Sequence, residues 1–503
     1  MAGIKALAKE TAIYGASSIL GRFLNWCLVP LYVYIFPTEE YGIVSYLYSF
    51  TAVALVILTY GMETGFFRFA NKHESPDTVY STSLLSIGGT SVLFIILLTL
   101  FINPISDAMK LQGHGIYVWL LGVIVAIDAF TNIPFAYLRY KRKAIRFATV
   151  KFANIGINIG FNIFFLLLCP QIHKSSPAAI DWFYTPLGGE SFGIGWIFVA
   201  NLISTLCVLA MLLPQLIGIK YKLDSALLRK MLKYSWPLLI LGVAGIMSQN
   251  MGQMIIPYLF SDQTAARSMV GIYGANIKIA IVMVMFTQAF RYAYEPFIFA
   301  QAGGKDGKQG SKAYCDAMKF FVILGLFIFL AVMFFLPVIK HFVSRDYWGG
   351  LDVVPVMMAA ELCCGVAFNL SLWYKLTDRT QWGMYLSVGT FVIMFALNIF
   401  LVPLIGIPRG YMGSAWAALI AYFIMMAASY FLGRKYYPLP YEIKRMAIYL
   451  LLAGALWFVG TKISDFTTNA WIIYLVRSLL LVFYLYIIAR YEHLPLPRRF
   501  AKK

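Results

Sequence analysis

Fourteen long runs of apolar residues follow one another along the chain, separated by short polar segments. The runs are continuously apolar and do not alternate with polar residues at every second position, which favours helices over the strands of a barrel. A helix that crosses a bilayer needs about 20 mostly apolar residues. We therefore predict fourteen transmembrane helices. They lie at residues 11–36, 41–66, 80–102, 115–138, 147–169, 191–213, 232–260, 268–300, 317–343, 350–374, 382–404, 411–433, 446–463 and 469–489.

Composition supports this fold class. Of the 503 residues, 61% are apolar and only 13% are charged, against about 25% charged residues in an ordinary soluble domain. A water-soluble protein of this length has too little interior to bury so much apolar surface. The first run has no short apolar core followed by a small-residue cleavage site, so it is expected to be an uncleaved first span. The prediction is an all-α polytopic membrane protein.

The net charge of +19 reports orientation. With the N-terminus placed in the cytoplasm, about 30 of the 41 basic residues fall in cytoplasmic segments and about 7 in the opposite loops. This excess follows the rule that basic residues stay on the cytoplasmic side. We therefore predict a multi-pass protein of the inner (cytoplasmic) membrane with both termini in the cytoplasm. The excess does not indicate a nucleic-acid partner.

The two halves of the chain echo each other weakly. The segment 256–276 repeats the form of 29–49, an apolar stretch with a proline, a short polar loop and a glycine-led span. Such repeats are typical of transporters built from two related bundles with a site between them; chance similarity between apolar segments is the alternative. The predicted organisation is a six-helix bundle at 1–213, a cytoplasmic linker at 214–231, a second six-helix bundle at 232–433, and two further helices with a basic tail at 434–503.

Several segments resemble the polysaccharide-synthesis flippases, which belong to the multidrug/oligosaccharidyl-lipid/polysaccharide (MOP) exporter superfamily. They are GASSILGRFLNW, PTEEYGIVSYLYSF, YGMETGFFRFANK and the basic stretch LRYKRKAIRFATVKFANIGINIGFNIFF. The resemblance runs from about residue 5 to residue 490. It implies fourteen helices in two pseudo-symmetric six-helix bundles plus two C-terminal helices, a MATE-like architecture. It also implies alternating access and a lipid-linked sugar moved from the inner to the outer leaflet.

Two cations lie near the centres of predicted spans, where charges are expensive and usually face a cavity or a partner. They are Arg22 in the first span and Lys278 in the eighth. A sugar linked to a lipid through pyrophosphate has an anionic head group, which such cations can hold by charge-assisted hydrogen bonds. The resemblance supports this role, because related flippases line a cationic cavity with arginine on the first helix. The alternative is a salt bridge to a carboxylate on a neighbouring helix.

A polar stripe runs along the fifth predicted span. Lys151, Asn154, Asn158 and Asn162 are spaced at i, i+3, i+7 and i+11, which places them within about 80° of arc on one helix face. A stripe of this kind lines either a wet cavity or a hydrogen-bonded seam between helices. We expect the amides to contact sugar. Gln249 on the seventh span is the repeat counterpart of Arg22 and is expected to join this substrate site.

Acidic residues in the spans suggest two further roles. Asp128 and Glu361 lie centrally in the fourth and tenth spans, 233 residues apart. They are candidates for binding a coupling H⁺ or Na⁺, or for acting as counter-ions to Arg22 and Lys278. Glu63 and Arg68 end the second span, and Arg291 and Glu295 end the eighth. These four are expected near the cytoplasmic interface, as salt bridges of a gate or as snorkelling side chains.

The function expected from the sequence is a flippase that moves a polyprenyl-pyrophosphate oligosaccharide across the membrane for cell-surface polysaccharide such as the O-antigen of lipopolysaccharide. The protein is then a transporter rather than an enzyme and needs no cofactor beyond a coupling ion. Its partners are the lipid-linked oligosaccharide, membrane lipids and a glycan polymerase or glycosyltransferase. The alternatives are a cation-coupled multidrug exporter of the same superfamily and a membrane-embedded glycan polymerase or ligase, which would need essential groups in the 170–190 loop.

Overall fold

The fold is described from a computed structural model covering residues 20, 23–24, 26–73, 75–302, 307–377, 379 and 381–492. Across these residues the regular structure is helical, and thirteen helical segments are long and apolar enough to cross a membrane. They correspond to the second to fourteenth predicted spans. The first predicted span, 11–36, lies only partly within the described residues. The chain is therefore an all-α, multi-pass membrane protein, as the hydropathy pattern predicts.

The helices are numbered in chain order. In the first half of the chain they are α1 (Leu28–Ile35), α2 (Thr38–Thr59), α3 (Met62–Ala70), α4 (Pro76–Leu100), α5 (Ile102–Ala108), α6 (Gly115–Tyr140), α7 (Ala144–Ile163), α8 (Cys169–Ser175), α9 (Asp181–Tyr184), α10 (Gly195–Leu216) and α11 (Ser225–Leu259). In the second half they are α12 (Gln263–Ala302), α13 (Gly307–Ile339), α14 (Val353–Leu370), α15 (Leu372–Leu376), α16 (Gln381–Ile405), α17 (Tyr411–Tyr436), α18 (Ile443–Phe466) and α19 (Ala470–Tyr491).

The chain divides into two compact units. The first unit is Met1–Gly274 with Asn398–Tyr411, and the second is Ala275–Leu397 with Met412–Lys503. Helix α11 belongs to the first unit, because it packs against α2 and α3. The apolar core there is formed by one face each of α3, α4 and α6, closed by Leu227 and Met231 of α11. The division into two six-helix bundles joined by a cytoplasmic linker at 214–231 stays a prediction.

Helices α2 and α3 form one membrane span, Thr38–Ala70, that is broken at Tyr60 and Gly61. Tyr60 and Gly61 adopt left-handed conformations, with φ of 31° and 68°. The carbonyl of Gly61 accepts the N–H of Gly65 at 3.1 Å and also a hydrogen bond from Ser235 Oγ of α11 at 3.3 Å. The packing of α11 thus stabilises the break and sets the direction in which α3 carries Glu63 and Arg68.

The fifth predicted span is longer in the structure than the sequence indicates. A π-helical turn at Phe164–Leu168 connects α7 to α8, and the continuous helical segment runs from Ala144 to Ser175. The helix thus continues six residues beyond residue 169, where the predicted span ends. Pro170 signals a helix end because it lacks an N–H donor. Here it stands at the start of α8, directly after the π-turn, where a missing donor is tolerated.

The last two helices of the chain pack against α13 in the second unit. Tyr449, Leu456 and Tyr484 are buried in this cluster together with Leu326 and Phe334. Arg477 of α19 is also buried, and its guanidinium donates to the backbone oxygens of Gly460 at 3.1 Å and Phe334 at 2.9 Å. The guanidinium of Arg477 on α19 thus connects this helix to α18 and α13 by hydrogen bonds.

Candidate intramembrane polar site

The polar stripe of α7 exists as one helix face, but its members differ in burial. Lys151, Asn154 and Asn158 are half-buried, whereas Asn162 is completely buried. The opposite side of α7 is open, since a Cβ at Gly156 would meet no atom within 4 Å. The half-buried groups lie on a helix that is long and apolar enough to cross a membrane. They are the part of the stripe that a ligand can reach.

Asn162 is already fully engaged with protein groups. Its Oδ1 accepts a hydrogen bond from the hydroxyl of Tyr32 at 3.0 Å, and its Nδ2 donates to the backbone oxygen of Asn158 at 2.8 Å and to Asn158 Oδ1 at 3.0 Å. Tyr32 lies on α1 and is buried. Asn162 therefore connects α7 to α1. Because the polar atoms of Asn162 are occupied by these contacts, Asn154 and Asn158 are the asparagines of the stripe that we still expect to contact sugar.

A second group of polar side chains surrounds Asp128 in the same unit. Thr205 Oγ1 lies 3.5 Å from Asp128 Oδ1, and Lys151 interacts electrostatically with the carboxylate. Tyr48 also lies close enough to interact with Asp128, and its hydroxyl accepts a hydrogen bond from Asn201 at 3.2 Å. These residues come from α2, α6, α7 and α10. We refer to Asp128, Lys151, Thr205, Tyr48 and Asn201 as the Asp128 cluster.

The charge of Lys151 is stabilised from two sides. Its ammonium lies 4.1 Å from the centre of the Phe135 ring, a distance at which a cation is attracted to the aromatic face. Asp128 supplies the opposite charge. The sequence placed Lys151 on the stripe but did not assign it these partners. Tyr48, Thr205 and Asn201 were missed because single hydroxyls and amides inside apolar runs give no signal at the sequence level.

Glu63 and Arg68 do not form the pair that their closeness in sequence suggests. Glu63 makes an ion pair with Arg139 of α6, while Arg68 lies with its guanidinium 4.1 Å from the centre of the Tyr234 ring on α11. Arg139 also stacks near Phe67. The Glu63–Arg139 pair thus joins α3 to α6 at the end of the broken span. A gate role for these residues stays a prediction, with Arg139 as the relevant partner.

The second unit carries the remaining predicted residues on separate helices. Lys278 of α12 and Glu361 of α14 are both half-buried. Among the described residues Glu361 forms no hydrogen bond or ion pair; its roles as an ion-binding residue or as a counter-ion to Lys278 stay predictions. Arg291 lies 5.3 Å from the centre of the Phe368 ring. The side chain of Glu295 lies outside the described part, so its predicted pairing with Arg291 stays a prediction.

Two predicted substrate contacts remain to be placed. Arg22 lies outside the described residues. Gln249 of α11 is exposed and belongs to the first unit. The described residues contain no group of three or more His, Cys, Asp or Glu side chains suited to a metal ion. The substrate and ion-coupling roles assigned from the sequence therefore remain predictions, now concentrated on the half-buried face of α7 and on the Asp128 cluster.

The loop between α8 and α10 offers acidic groups that are engaged separately. Asp181 Oδ1 lies 2.9 Å from His173 Nδ1, and Glu190 Oε1 lies 3.6 Å from Lys174 Nζ. Each acid faces its own cationic or titratable neighbour. A glycan polymerase or ligase would need catalytic groups brought together in this loop, so the observed pairing favours a structural role for these residues.

A family model described as "Polysaccharide biosynthesis protein" matches residues 7–298, more than half of the chain. The chain belongs to this family. Its match covers α1 to α11 and most of α12, and so includes the stripe of α7 and the Asp128 cluster. No curated protein matches the chain in sequence.

Solved structures show which fold the family member adopts. A structure of the lipid II flippase MurJ in an inward closed conformation is 16% identical, has a TM-score of 0.66 and covers 96% of this chain and 99% of its own. A multidrug resistance MATE family transporter of the MOP superfamily, in an inward-facing conformation, is 15% identical with a TM-score of 0.65, covering 82% and 94%. A MATE structure in the straight conformation is 14% identical with a TM-score of 0.58, covering 86% and 95%. The fold is MATE- and MurJ-like.

Proposed function

We propose that this family member is a flippase that moves a polyprenyl-pyrophosphate oligosaccharide from the inner to the outer leaflet for the synthesis of cell-surface polysaccharide. The observation that carries the proposal is the half-buried polar face of α7, formed by Lys151, Asn154 and Asn158 within an apolar membrane span. Membership in the polysaccharide biosynthesis family supports it. The MurJ-like fold is compatible with it.

The chemistry of the α7 face suits a head group that is both charged and rich in hydroxyls. Amide side chains donate and accept hydrogen bonds, so Asn154 and Asn158 match sugar hydroxyls. The ammonium of Lys151 attracts phosphate oxygens. Arg22 and Lys278 are proposed as further phosphate contacts, and Gln249 as a further sugar contact. The lipid tail needs no site in the protein, because it can stay in the bilayer.

Transport by alternating access requires that substrate and coupling ion stabilise different conformations. We propose that Asp128 serves as the counter-ion of Lys151 in the substrate-free state. Arrival of a pyrophosphate would then compete with Asp128 for Lys151, and an H⁺ or Na⁺ taken up by the released carboxylate would complete the exchange. Glu361, which has no ionic partner among the described residues, is the second candidate for ion uptake.

The proposal is tested by removing the protein from cells and measuring lipid-linked oligosaccharide in the inner leaflet. We expect the sugar lipid to accumulate there and to return to its normal level when the intact chain is supplied. The double variant Asn154→Ala/Asn158→Ala should restore export poorly. Gly156→Ala on the opposite side of α7 is the matched control and should restore it fully, since its Cβ meets nothing within 4 Å. Equal restoration by both variants would remove the α7 face from the mechanism.

The same cells separate the flippase from a drug exporter. Resistance to cationic drugs that depends on the protein, with no change in inner-leaflet sugar lipid, would contradict the proposal and favour multidrug export.

A further inference from the structure

A cavity of about 580 Å³ lies in the first unit at the ends of α4, α6 and α10, beside the linker that leads to α11. Its walls include Asp77, Tyr137 and Gln215 and the linker from Ile217 to Lys222. The cavity is lined by neither the stripe of α7 nor the Asp128 cluster. It is therefore separate from the site on which the proposed function rests.

Four lysines line this cavity, Lys141, Lys143, Lys220 and Lys222, against one carboxylate, Asp77. Lys141 Nζ lies 3.9 Å from Asp77 Oδ1, and the Tyr137 hydroxyl donates to the same oxygen at 3.2 Å. Lys143, Lys220 and Lys222 form no ion pair with a described residue. Three ammonium groups around one cavity create a local excess of positive charge, which favours an anionic ligand.

The linker wall is held in place by hydrogen bonds to α4. The backbone N–H of Lys222 donates to Ser81 Oγ at 2.7 Å, and the backbone N–H of Asp224 donates to Thr82 Oγ1 at 3.2 Å. Asp224 accepts from the N–H of Leu227 at 2.9 Å and caps α11. This bond lowers the pKa of Asp224, and the nearby charge of Lys222 lowers it further. The lysines are thus presented by a fixed backbone.

Gln215 contributes a buried polar side chain to the wall of the cavity. Its side chain lines the cavity and is only 6% exposed, and its Oε1 has no hydrogen-bond donor among the described residues. A buried acceptor without a donor is destabilising. A ligand that carries a hydroxyl group beside its anionic group would supply that donor after a small rotation of the amide.

The edge of the cavity has the character of a membrane interface. Ile217, Tyr221 and Leu223 are 73%, 53% and 50% exposed and stand next to Lys220 and Lys222 in the linker. The cavity also lies where three membrane helices end. Exposed apolar side chains interleaved with lysines suit the boundary between acyl chains and head groups. A ligand bound here would therefore be part of a lipid.

We propose that this cavity binds the head group of an acidic phospholipid that carries a free hydroxyl, with phosphatidylglycerol as the matching chemistry. Lys143, Lys220 and Lys222 hold the phosphate, Gln215 accepts a hydrogen bond from a glycerol hydroxyl, and the acyl chains lie along Ile217 and Leu223. The site bridges α4, α6, α10 and the linker, so occupancy would fasten the start of α11 to the preceding helices.

The test measures binding of dioctanoyl-phosphatidylglycerol to the purified full chain in detergent by native mass spectrometry. The pocket variant Lys143→Gln/Lys220→Gln/Lys222→Gln should weaken binding by at least about tenfold, as expected for the loss of three basic groups near a lipid phosphate. Arg229→Gln/Lys230→Gln/Lys233→Gln is the matched control, because it removes three exposed positive charges from the start of α11 outside the cavity. It should change the affinity by less than about twofold.

Three further arms define the ligand. Phosphatidylcholine should not compete, and free glycerol 1-phosphate should bind at least about tenfold more weakly than the lipid. Gln215→Leu should erase a preference for phosphatidylglycerol over phosphatidic acid, which lacks the glycerol hydroxyls. Unchanged affinity in the pocket variant, equal loss in the control variant, or equal binding of free glycerol phosphate would overturn the proposal. If the triple variant fails to fold, Lys143→Gln alone, with an expected loss of at least about threefold, decides the matter. None of these readouts depends on transport.

Discussion

Individual side chains show what can and cannot be inferred about this protein from its sequence. The spacing of Lys151, Asn154, Asn158 and Asn162 places them on one face of α7 because helical periodicity is a local property. The partners of these residues are long-range. Tyr32 is 130 positions from Asn162, and Glu63 is 76 positions from its partner Arg139. No local pattern selects such partners, so the stripe could be predicted and its division into structural and accessible residues could not.

This division predicts different consequences along one stripe. Asn162→Ala should lower the free energy of unfolding by about 1–3 kcal/mol, because the Tyr32 hydroxyl and the Asn158 amide lose a buried partner. Asn154→Ala should leave thermal stability nearly unchanged and reduce oligosaccharide export. Thermal unfolding in detergent and inner-leaflet sugar lipid are measured for both variants. A stability loss at Asn154 equal to that at Asn162 would contradict the distinction.

Glu492 gives a second prediction at the residue scale. It lies directly after α19 and its Oε2 is 2.6 Å from Lys319 Nζ, with both side chains buried. Burial by itself would raise the pKa of Glu492, but hydrogen bonds from Lys319 and Tyr449 outweigh it and hold the pKa below the ordinary glutamate value. A depressed carboxyl pKa contributes stability above the ordinary value of about 4.3, and this stability is lost as pH falls through the folded-state pKa.

We therefore expect the melting temperature of the wild type to fall between about pH 5 and pH 3 by more than that of Glu492→Gln, which is already destabilised at pH 7. The control is Asp465→Asn, which removes an exposed ion pair with Lys462. It should behave like the wild type, because exposed pairs contribute little. An identical acid response in Glu492→Gln and the wild type would show that the Lys319–Glu492 pair does not hold α19.

At the scale of helices, the positions of the second to fourteenth spans were predictable from the sequence, and the irregularities within them were not. Every helix that crosses the bilayer needs about 20 apolar residues, so the hydropathy of the sequence directly indicates where these helices lie. The break at Tyr60–Gly61 and the π-turn at Phe164–Leu168 depend instead on neighbours, such as Ser235 beside Gly61. Composition and hydropathy do not predict such breaks and π-turns, although these features set the direction of the polar residues that follow them.

One contact between helices is close enough to test by a single methyl group. Gly42 of α2 and Gly271 of α12 face each other within the first unit, and a Cβ at Gly42 would overlap the carbonyl oxygen of Arg267. Gly42→Ala should therefore abolish or strongly reduce the yield of folded protein. Gly89→Ala in α4 is the control, since nothing lies within 4 Å of its Cβ and alanine favours helices. We expect its melting temperature to be unchanged or slightly raised; equal yields for both variants would contradict the close approach.

For the whole molecule, fold and family are better determined than substrate. The MurJ structure is 16% identical with a TM-score of 0.66, so a similar arrangement of helices is formed by two chains that differ at most positions. Charged and amide residues in the spans are more costly and more specific. Under the proposed function, we expect a few such positions, among them Lys151, Asn154 and Asp128, to select the sugar, the lipid and the coupling ion.

The central claim is tested most directly by translocation in proteoliposomes. The purified chain is reconstituted with a fluorescent polyprenyl-pyrophosphate oligosaccharide, and a membrane-impermeant quencher reports the leaflet that holds the head group. The account predicts protein-dependent exchange between leaflets that is slowed at least about tenfold in Asn154→Ala/Asn158→Ala and unchanged in Gly156→Ala. Exchange no faster than in protein-free vesicles, measured with folded protein and with H⁺ and Na⁺ gradients imposed in turn, would contradict it.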